Sequence, residues 1–349
     1  MFNDIALTDL LALRKTEKHT IVDVRSPGEF NEATIPGSIN IPVFNDAERA
    51  EVGTIYKHFG KEAAMERGVA IFSQKLPSFI SAFKQIDTPL TVFCWRGGMR
   101  SKTAATMLDL MGIHANRLLG GIRSYRKWVV QKLAEAKFPP KLIVLNGYTG
   151  TGKTAILREL SQMGFPVMDL EKMAGHRGSI FGHIGLNPSN QKKFDSLLVE
   201  TMVDFWEEPY VLIEGESRRI GKASLPEFLY EKKEQGLHLF IRLPIKERIK
   251  HILEDYRPWQ SPERFQEAFR FIKKRIHTPI AKEIEAAIEN GRFASAAELL
   301  LTYYYDPRYE HSTQVHKNKD TILIEAGNKD EALKKIAETL LKEWKVQKK

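Results

Sequence analysis

Short β-branched and aliphatic runs alternate along this chain with longer segments of helical spacing. Residues 20–25, TIVDVR, and 89–94, PLTVFC, are apolar runs of strand length. IPGSINIP (35–42) reads as a turn-rich return with a short strand. SKTAATMLDLMG (101–112) has helical spacing with Gly112 as its stop, and SYRKWVVQKLAEA (124–136) predicts another helix. KFPPK (137–141) then breaks the pattern, because two prolines cannot continue a helix. This predicts a first domain over 1–137 and a second over 138–349. The second restarts with the strand KLIVLNG (141–147) and the helix KTAILRELSQMG (153–164). FPVMDL (165–170), YVLIEG (210–215), LHLFIRL (237–243) and TILIEA (321–326) are further buried-strand candidates. Residues 244–305 read as largely helical, punctuated by Pro244, Pro258, Pro262 and Pro279, and 328–349 as a terminal amphipathic helix. Strand–helix alternation of this kind predicts α/β architecture with parallel sheets and crossover helices.

Composition adds limits. A chain of 349 residues exceeds what one core usually serves, and its 42% hydrophobic and 28% charged content is that of a globular protein. No apolar run approaches the ~20 residues that span a bilayer. MFNDIALTDLLALRKTEKHT does not have the layout of a signal peptide, and a single cysteine forms no intramolecular disulfide. The expectation is a cytoplasmic protein with no membrane partner. The formal net charge is +9, unevenly spread. From Cys94 to Lys141, ten Lys and Arg face two acids, a net of +8, and Arg242 to Arg275 nets +5. Such patches fit a polyanion, nucleic acid first. Arg117, Arg123, Arg126, Lys127, Lys132 and Lys137 are the candidate contacts.

GYTGTGKT, Gly147 to Thr154, fits the phosphate-loop pattern G-x-x-x-x-G-K-[ST] after a strand and at a helix start. Gly147, Gly150, Thr151 and Gly152 let the backbone curl so that several N–H groups point inward. Lys153 adds a full positive charge, and Thr154 would ligate Mg²⁺. VLIEGES (211–217) ends a strand in Glu214 and Glu216, acids that would order a metal or water, with Arg218 following. DLEKMAGHRGS (169–179) puts Asp169 at another strand end, then His176, Arg177 and Ser179 among glycines; Arg177 is placed to clamp an anion. The interleaved aromatics and arginines of RPW (257–259) and YYYDPRY (303–309) suit either base stacking or helix packing.

The one cysteine lies in VFCWRGGMRS (92–101). Only a thiolate attacks, and a free thiol with a pKa of about 8.5 is a few per cent ionised at neutral pH. Each unit of depression requires about 1.4 kcal/mol of preferential anion stabilisation. Strand-end amides, Gly97 and Gly98 for close approach, Arg96, Arg100 and the hydroxyl of Ser101 are residues of the right type to supply it around Cys94.

At these residues the chain resembles a rhodanese-like domain: DVRSPGEF (23–30) and IPGSINIP (35–42) match that family's signatures, and Cys94 falls at its persulfide cysteine. Glu32, Ala33 and Thr34 replace the usual Gly-His before IPG. The C-x₅-R spacing from Cys94 to Arg100 is that of rhodanese-fold phosphatases, a loop wide enough for a phosphorus-bearing anion. No general acid for phosphatase chemistry is evident. Joined to a phosphate-loop domain, the whole is similar to the tRNA 2-selenouridine synthase family, most specifically at NDAERAEVGTIYK (45–57), LLGGIRSYR (118–126), NGYTGTGKT (146–154), DLEKMAGHRGSIFG (169–182) and IEGESRRIG (213–221). The resemblance implies a rhodanese-like α/β domain followed by a P-loop NTPase-like parallel-sheet domain with a helical extension. It implies conversion of 2-thiouridine to 2-selenouridine at the tRNA wobble position, through an S-geranyl intermediate. Geranyl diphosphate and selenophosphate are the implied co-substrates, with Mg²⁺ as an implied auxiliary in the phosphate loop and ATP not required. A selenophosphate-producing enzyme is an implied partner, beside the tRNA anticodon arm. Two rival readings are a sulfurtransferase fused to an ATP-dependent kinase and a non-catalytic RNA-binding module.

Overall fold

The computed structural model describes residues 2–308 and 321–344. Contacts divide the chain into one unit of residues 1–135 with 195–197 and another of 136–194 with 198–349.

The first unit alternates strand and helix: β1 (Asn3–Ile5), α1 (Leu7–Thr16), β2 (Thr20–Asp23), α2 (Pro27–Glu32), β3 (Ile39–Asn40), α3 (Asp46–Lys84), β4 (Leu90–Phe93), α4 (Met99–Leu110), β5 (Ala115–Leu118) and α5 (Gly121–Ala134). Its sheet has the order β1-β5-β4-β2-β3, and every pairing is parallel. β4 is buried along its whole length, as a strand covered by helices on both faces must be. Phe72, Phe79 and Phe83 of α3 pack with Val22, Val92 and Leu108 in the core. α3 opens with a reciprocal cap between Asn45 and Glu48 and breaks at Gly60, whose φ is +90°.

The second unit holds β6 (Lys141–Gly147), α6 (Lys153–Gln162), β7 (Val167–Met168), α7 (Leu170–Ala174), α8 (Gln191–Asp204), β8 (Tyr210–Glu214), a small antiparallel pair β9 (Arg219–Ile220) and β10 (Ala223–Ser224), α9 (Glu227–Glu234) and β11 (Leu237–Arg242). α10 (Ile245–Tyr256), α11 (Pro262–Lys273), α12 (Thr278–Glu289) and α13 (Phe293–Leu300) form the helical extension; β12 (Thr321–Glu325) and α14 (Lys329–Trp344) close the described chain. The sheet order is β12-β11-β6-β8-β7, all parallel, with β6 at its centre. α/β architecture with parallel sheets is what the apolar runs predict. α11 to α13 build a separate core around Phe269, Ile272 and Ile284. Tyr309 and the last five residues of the expected terminal helix lie outside the described residues. Among the described residues, no helix is long and apolar enough to cross a membrane.

The DVRSPGEF signature is structural. Asp23 and Arg25 are both essentially inaccessible. Arg25 donates from Nε and Nη2 to the Asp23 carboxylate, the shortest contact being 2.6 Å, and from Nη2 to the Ala33 carbonyl. Thr34 adds a bond to Asp23 Oδ2 at 2.9 Å, and Asn40 ties down the Asp23 and Arg25 carbonyls. Val24 N–H bonds to the Phe93 carbonyl, so this knot fixes the strand end that carries Cys94. Arg25→Ala would leave a buried carboxylate without its cation. It is expected to lower unfolding stability by about 3–5 kcal/mol in urea titration, well above the ~1 kcal/mol expected for Thr34→Ala.

Candidate functional sites: a thiol loop and a phosphate loop

The thiol loop leaves β4 at Phe93 and enters α4 at Met99. Cys94 is 3% exposed, with Sγ 3.1 Å from the buried Ser101 hydroxyl. The start of α5 backs the loop: Ile122 and Arg123 N–H bond to the carbonyls of Cys94 and Trp95. This approach requires Gly121, whose φ is +56°; a Cβ there would lie 2.1 Å from the Cys94 carbonyl oxygen. Trp95, Arg96 and Gly98 are exposed at the loop surface.

The arginines around this loop divide by their partners. Arg100 is not a free anion clamp: Nη1 and Nη2 reach Glu29 Oε2 and Oε1 at 2.5 and 3.2 Å. Burial works against the Glu29 charge, but the Arg100 guanidinium outweighs it and holds the carboxyl below its usual range. Arg117, a candidate RNA contact in the sequence, is committed to Asp4 and donates from Nη1 to the Gly97 carbonyl at 3.2 Å, so it braces the loop. Arg96 is exposed. Of the other basic candidates, Arg123, Lys127 and Lys137 are exposed, Arg126 is half-buried, and Lys132 pairs with Glu135 at 2.8 Å.

The phosphate loop joins β6 to α6. Lys153 Nζ donates to the Gly147 carbonyl at 3.1 Å, and Thr151 Oγ1 to the Tyr148 carbonyl at 2.9 Å. Gly150 has φ +82°, and a Cβ there would meet the Arg248 carbonyl at 2.7 Å. Arg248, which pattern reading passed over inside the basic 242–275 stretch, is buried beneath the loop. It donates from Nε to the Thr149 carbonyl at 2.8 Å, grips Asp306 through both Nη atoms, and lies 5.0 Å from the Tyr148 ring centroid. His251 Nδ1 lies 3.0 Å from the Gly150 carbonyl.

The acids differ from the sequence expectation. Thr154 donates to Glu171 Oε2 at 2.7 Å, and Glu171 is buried. Burial first, then the charge of Glu216, pushes the Glu171 carboxyl up to about 7. Glu214, expected as a metal ligand, is fully buried; Oε2 accepts from Leu170 N–H at 2.8 Å and Oε1 has no hydrogen-bond partner among the described residues. Burial and the neighbouring carboxylates raise it well above the ordinary value, which favours a protonated acid over a metal ligand. Asp169 caps α7 through Lys172 N–H. Glu171 is in the quoted DLEKMAGHRGS string, but strand-end logic selects Asp169; only the fold turns Glu171 toward Thr154. Among the described residues no group of three or more His, Cys, Asp or Glu can hold a metal ion. A Mg²⁺ ion here would therefore depend on ligand phosphate oxygens, with Thr154 and Glu171 nearest.

The 176–179 residues also serve the scaffold. Arg177 donates to the carbonyls of Ile184 and Asp255 and stacks 4.9 Å from the Tyr256 ring centroid, which removes it as an anion clamp. His176 Nδ1 accepts from Gly178 N–H at 3.2 Å, and burial lowers its proton affinity. Ser179 Oγ lies 2.8 Å from the Tyr256 hydroxyl. Glu216 is half-buried against Gly178, and Arg218 pairs with Glu227 at 2.5 Å.

A thiol loop and a phosphate loop of these shapes occur here in one chain. The rhodanese-like domain description matches residues 6–128, and the tRNA 2-selenouridine synthase AAA domain description matches residues 140–343. The chain belongs to the tRNA 2-selenouridine synthase family. A tRNA 2-selenouridine synthase of Bdellovibrio bacteriovorus is 32% identical, with 83% of this chain and 87% of that one covered. Those of Nitrosomonas europaea and Pseudomonas syringae are 29% and 30% identical, covering 89% and 85% of this chain and 93% and 89% of theirs.

Glu171 makes one titration visible. It binds its proton more tightly folded than unfolded, so its stabilising contribution is full below about pH 4.5 and is lost as pH rises through about 7. Glu171→Gln is expected to flatten the decline in unfolding stability across that window, measured by urea titration at stepped pH. An unchanged slope would contradict the assignment.

Proposed function

We propose that this chain replaces the sulfur of 2-thiouridine at the tRNA wobble position with selenium, in two steps run at two loops. The observation that carries the reading is the pairing, within one chain of this family, of a loop closed around Cys94 with a loop closed around Lys153. Sulfur and selenium are close in size, so exchange depends on making sulfur leave. In the first step the thiocarbonyl sulfur attacks C1 of geranyl diphosphate. The C–O bond breaks, diphosphate takes the bonding pair, and the uracil N3 proton passes to solvent. The amides after Gly150, the N-terminus of α6 and Lys153 stabilise the departing charge. Mg²⁺ would add charge neutralisation on the diphosphate beside Thr154 and Glu171. ATP has no part in this scheme.

In the second step selenium of selenophosphate attacks C2 and the neutral geranylthiol leaves. Water then cleaves the P–Se bond, giving phosphate and 2-selenouridine. Selenium stays at the selenide level throughout, so no oxidant is consumed. A selenosulfide on Cys94 would oxidise selenium and need an electron acceptor. The balanced route uses the Cys94 thiol to protonate the leaving sulfur, with Arg96 and the loop amides on the phosphate portion. Exposed Arg123, Lys127 and Lys137 would hold the anticodon arm, and the base must leave its stack to react. A selenophosphate-producing enzyme would supply the donor.

Single-turnover assays with nucleoside mass analysis test the division. Lys153→Ala is expected to slow S-geranyl-tRNA formation by about 10²-fold or more while pre-geranylated RNA is still selenated. Cys94→Ser is expected to do the reverse and accumulate S-geranyl-tRNA. Equal loss of both steps in both variants would overturn the scheme.

A further inference from the structure

An apolar pocket adjoins the phosphate loop within the second unit. Thr149 of the loop forms one wall; Ser179, Tyr256, Phe265, Ala297 and Leu300 are among the others. The space between its walls and the adjoining solvent is about 600 Å³, of which about 60 Å³ admits the centre of a water-sized sphere. We infer that this pocket receives the hydrocarbon chain of a prenyl diphosphate whose head is held by the phosphate loop, and that α13 limits the chain length. The inference rests on the reading that the loop binds geranyl diphosphate.

Lining chemistry separates this occupant from a nucleoside. No Lys, Arg, Asp or Glu among the described residues lines the pocket. Its polar side chains are four hydroxyls, those of Thr149, Ser179, Tyr256 and Tyr305, and Ser179 Oγ and the Tyr256 hydroxyl are 2.8 Å apart, engaged with each other. A base or ribose placed here would leave donors and acceptors unpaired, a cost a branched hydrocarbon does not meet. Cations near the mouth are turned away as well: Arg248 is spent on Thr149 and Asp306, and Arg177 on the Ile184 and Asp255 carbonyls. Continuity supplies the head group. Thr149 belongs to both the pocket wall and the loop, so a chain in the pocket emerges at the amides around Gly150 and Lys153. On α13, Ala296 and Ala297 line the wall with the smallest side chains of that helix, so bulk added there would shorten the space.

Calorimetry on the full chain tests this with inorganic diphosphate and the dimethylallyl, geranyl and farnesyl diphosphates. Affinity is expected to rise at least about tenfold from the five-carbon to the ten-carbon chain, since each buried methylene adds favourable transfer energy. Ala297→Phe is expected to remove that gain and leave inorganic diphosphate binding within about twofold. Lys153→Ala is expected to weaken every ligand. If Ala297→Phe also loses inorganic diphosphate, Leu300→Ala decides: it is expected to raise the farnesyl-to-geranyl affinity ratio, and an unchanged ratio overturns the inference. Geranyl diphosphate binding no tighter than inorganic diphosphate, with Lys153 still required, overturns the pocket and leaves the loop reading intact. Chain-length dependence untouched by Ala297→Phe also overturns the pocket. Failure of both geranyl and inorganic diphosphate to bind the unaltered protein overturns the loop reading and the pocket with it.

Discussion

A backbone loop can offer N–H groups to an anion without loss only when its own carbonyl oxygens have other donors. Each peptide carries both groups, and an unpaired buried carbonyl is costly. Both loops meet this constraint. At the thiol loop, α5 supplies N–H groups to the Cys94 and Trp95 carbonyls, Arg117 covers Gly97, and Lys102 N–H covers Gly98. At the phosphate loop, Lys153 covers Gly147, Thr151 covers Tyr148, Arg248 covers Thr149, and His251 lies against Gly150. Each loop also runs into a helix N-terminus, whose first N–H groups lack partners within the helix.

That constraint redistributes the arginines. A guanidinium has five donors and keeps its charge, so wherever it is buried it must meet carbonyls or carboxylates. Arg25, Arg100, Arg117, Arg177 and Arg248 all do so, with Asp23, Glu29, Asp4, backbone carbonyls and Asp306 as partners. A linear reading sees arginine near glycines and infers an anion clamp. Here the same residues brace the loops from behind, while Arg96 of the thiol loop and the adjoining Arg123 are exposed.

Legibility followed burial. β4, β6 and β8 are continuous apolar runs because parallel strands are covered on both faces, and the runs ending at Cys94 and Gly147 located both loops directly. β1 is the polar triplet Asn3–Ile5 at a sheet edge, and β5 reads ANRL; neither carries the apolar signal that marks a strand. α3 lacks a clean pattern because its first half is largely exposed and Gly60 interrupts it. Asp169 and Glu171 differ in role through the local turn alone. Asp169 caps α7 while Glu171, two residues further on, meets Thr154. No spacing rule separates them. The pocket was illegible for another reason: its walls come from the loop, the 179–181 segment and α10 to α13, each unremarkable alone.

The acids behind Thr154 complete the electrostatic argument. Four carboxyl groups, Asp169, Glu171, Glu214 and Glu216, lie close enough to influence one another, in a site whose proposed ligand is itself a polyanion. Full ionisation of all four would repel a diphosphate. Burial eases the conflict by raising the proton affinity of Glu214 well above the ordinary carboxyl range and pushing Glu171 up to about 7. A divalent cation arriving with the diphosphate would favour the ionised form of Glu171, so proton release and head-group binding become linked. The pocket wall that includes Thr149, Phe265 and Leu300 carries no Lys, Arg, Asp or Glu. One loop thus borders a face that answers to charge and a face that answers only to hydrocarbon, which is the division an amphipathic diphosphate ester requires.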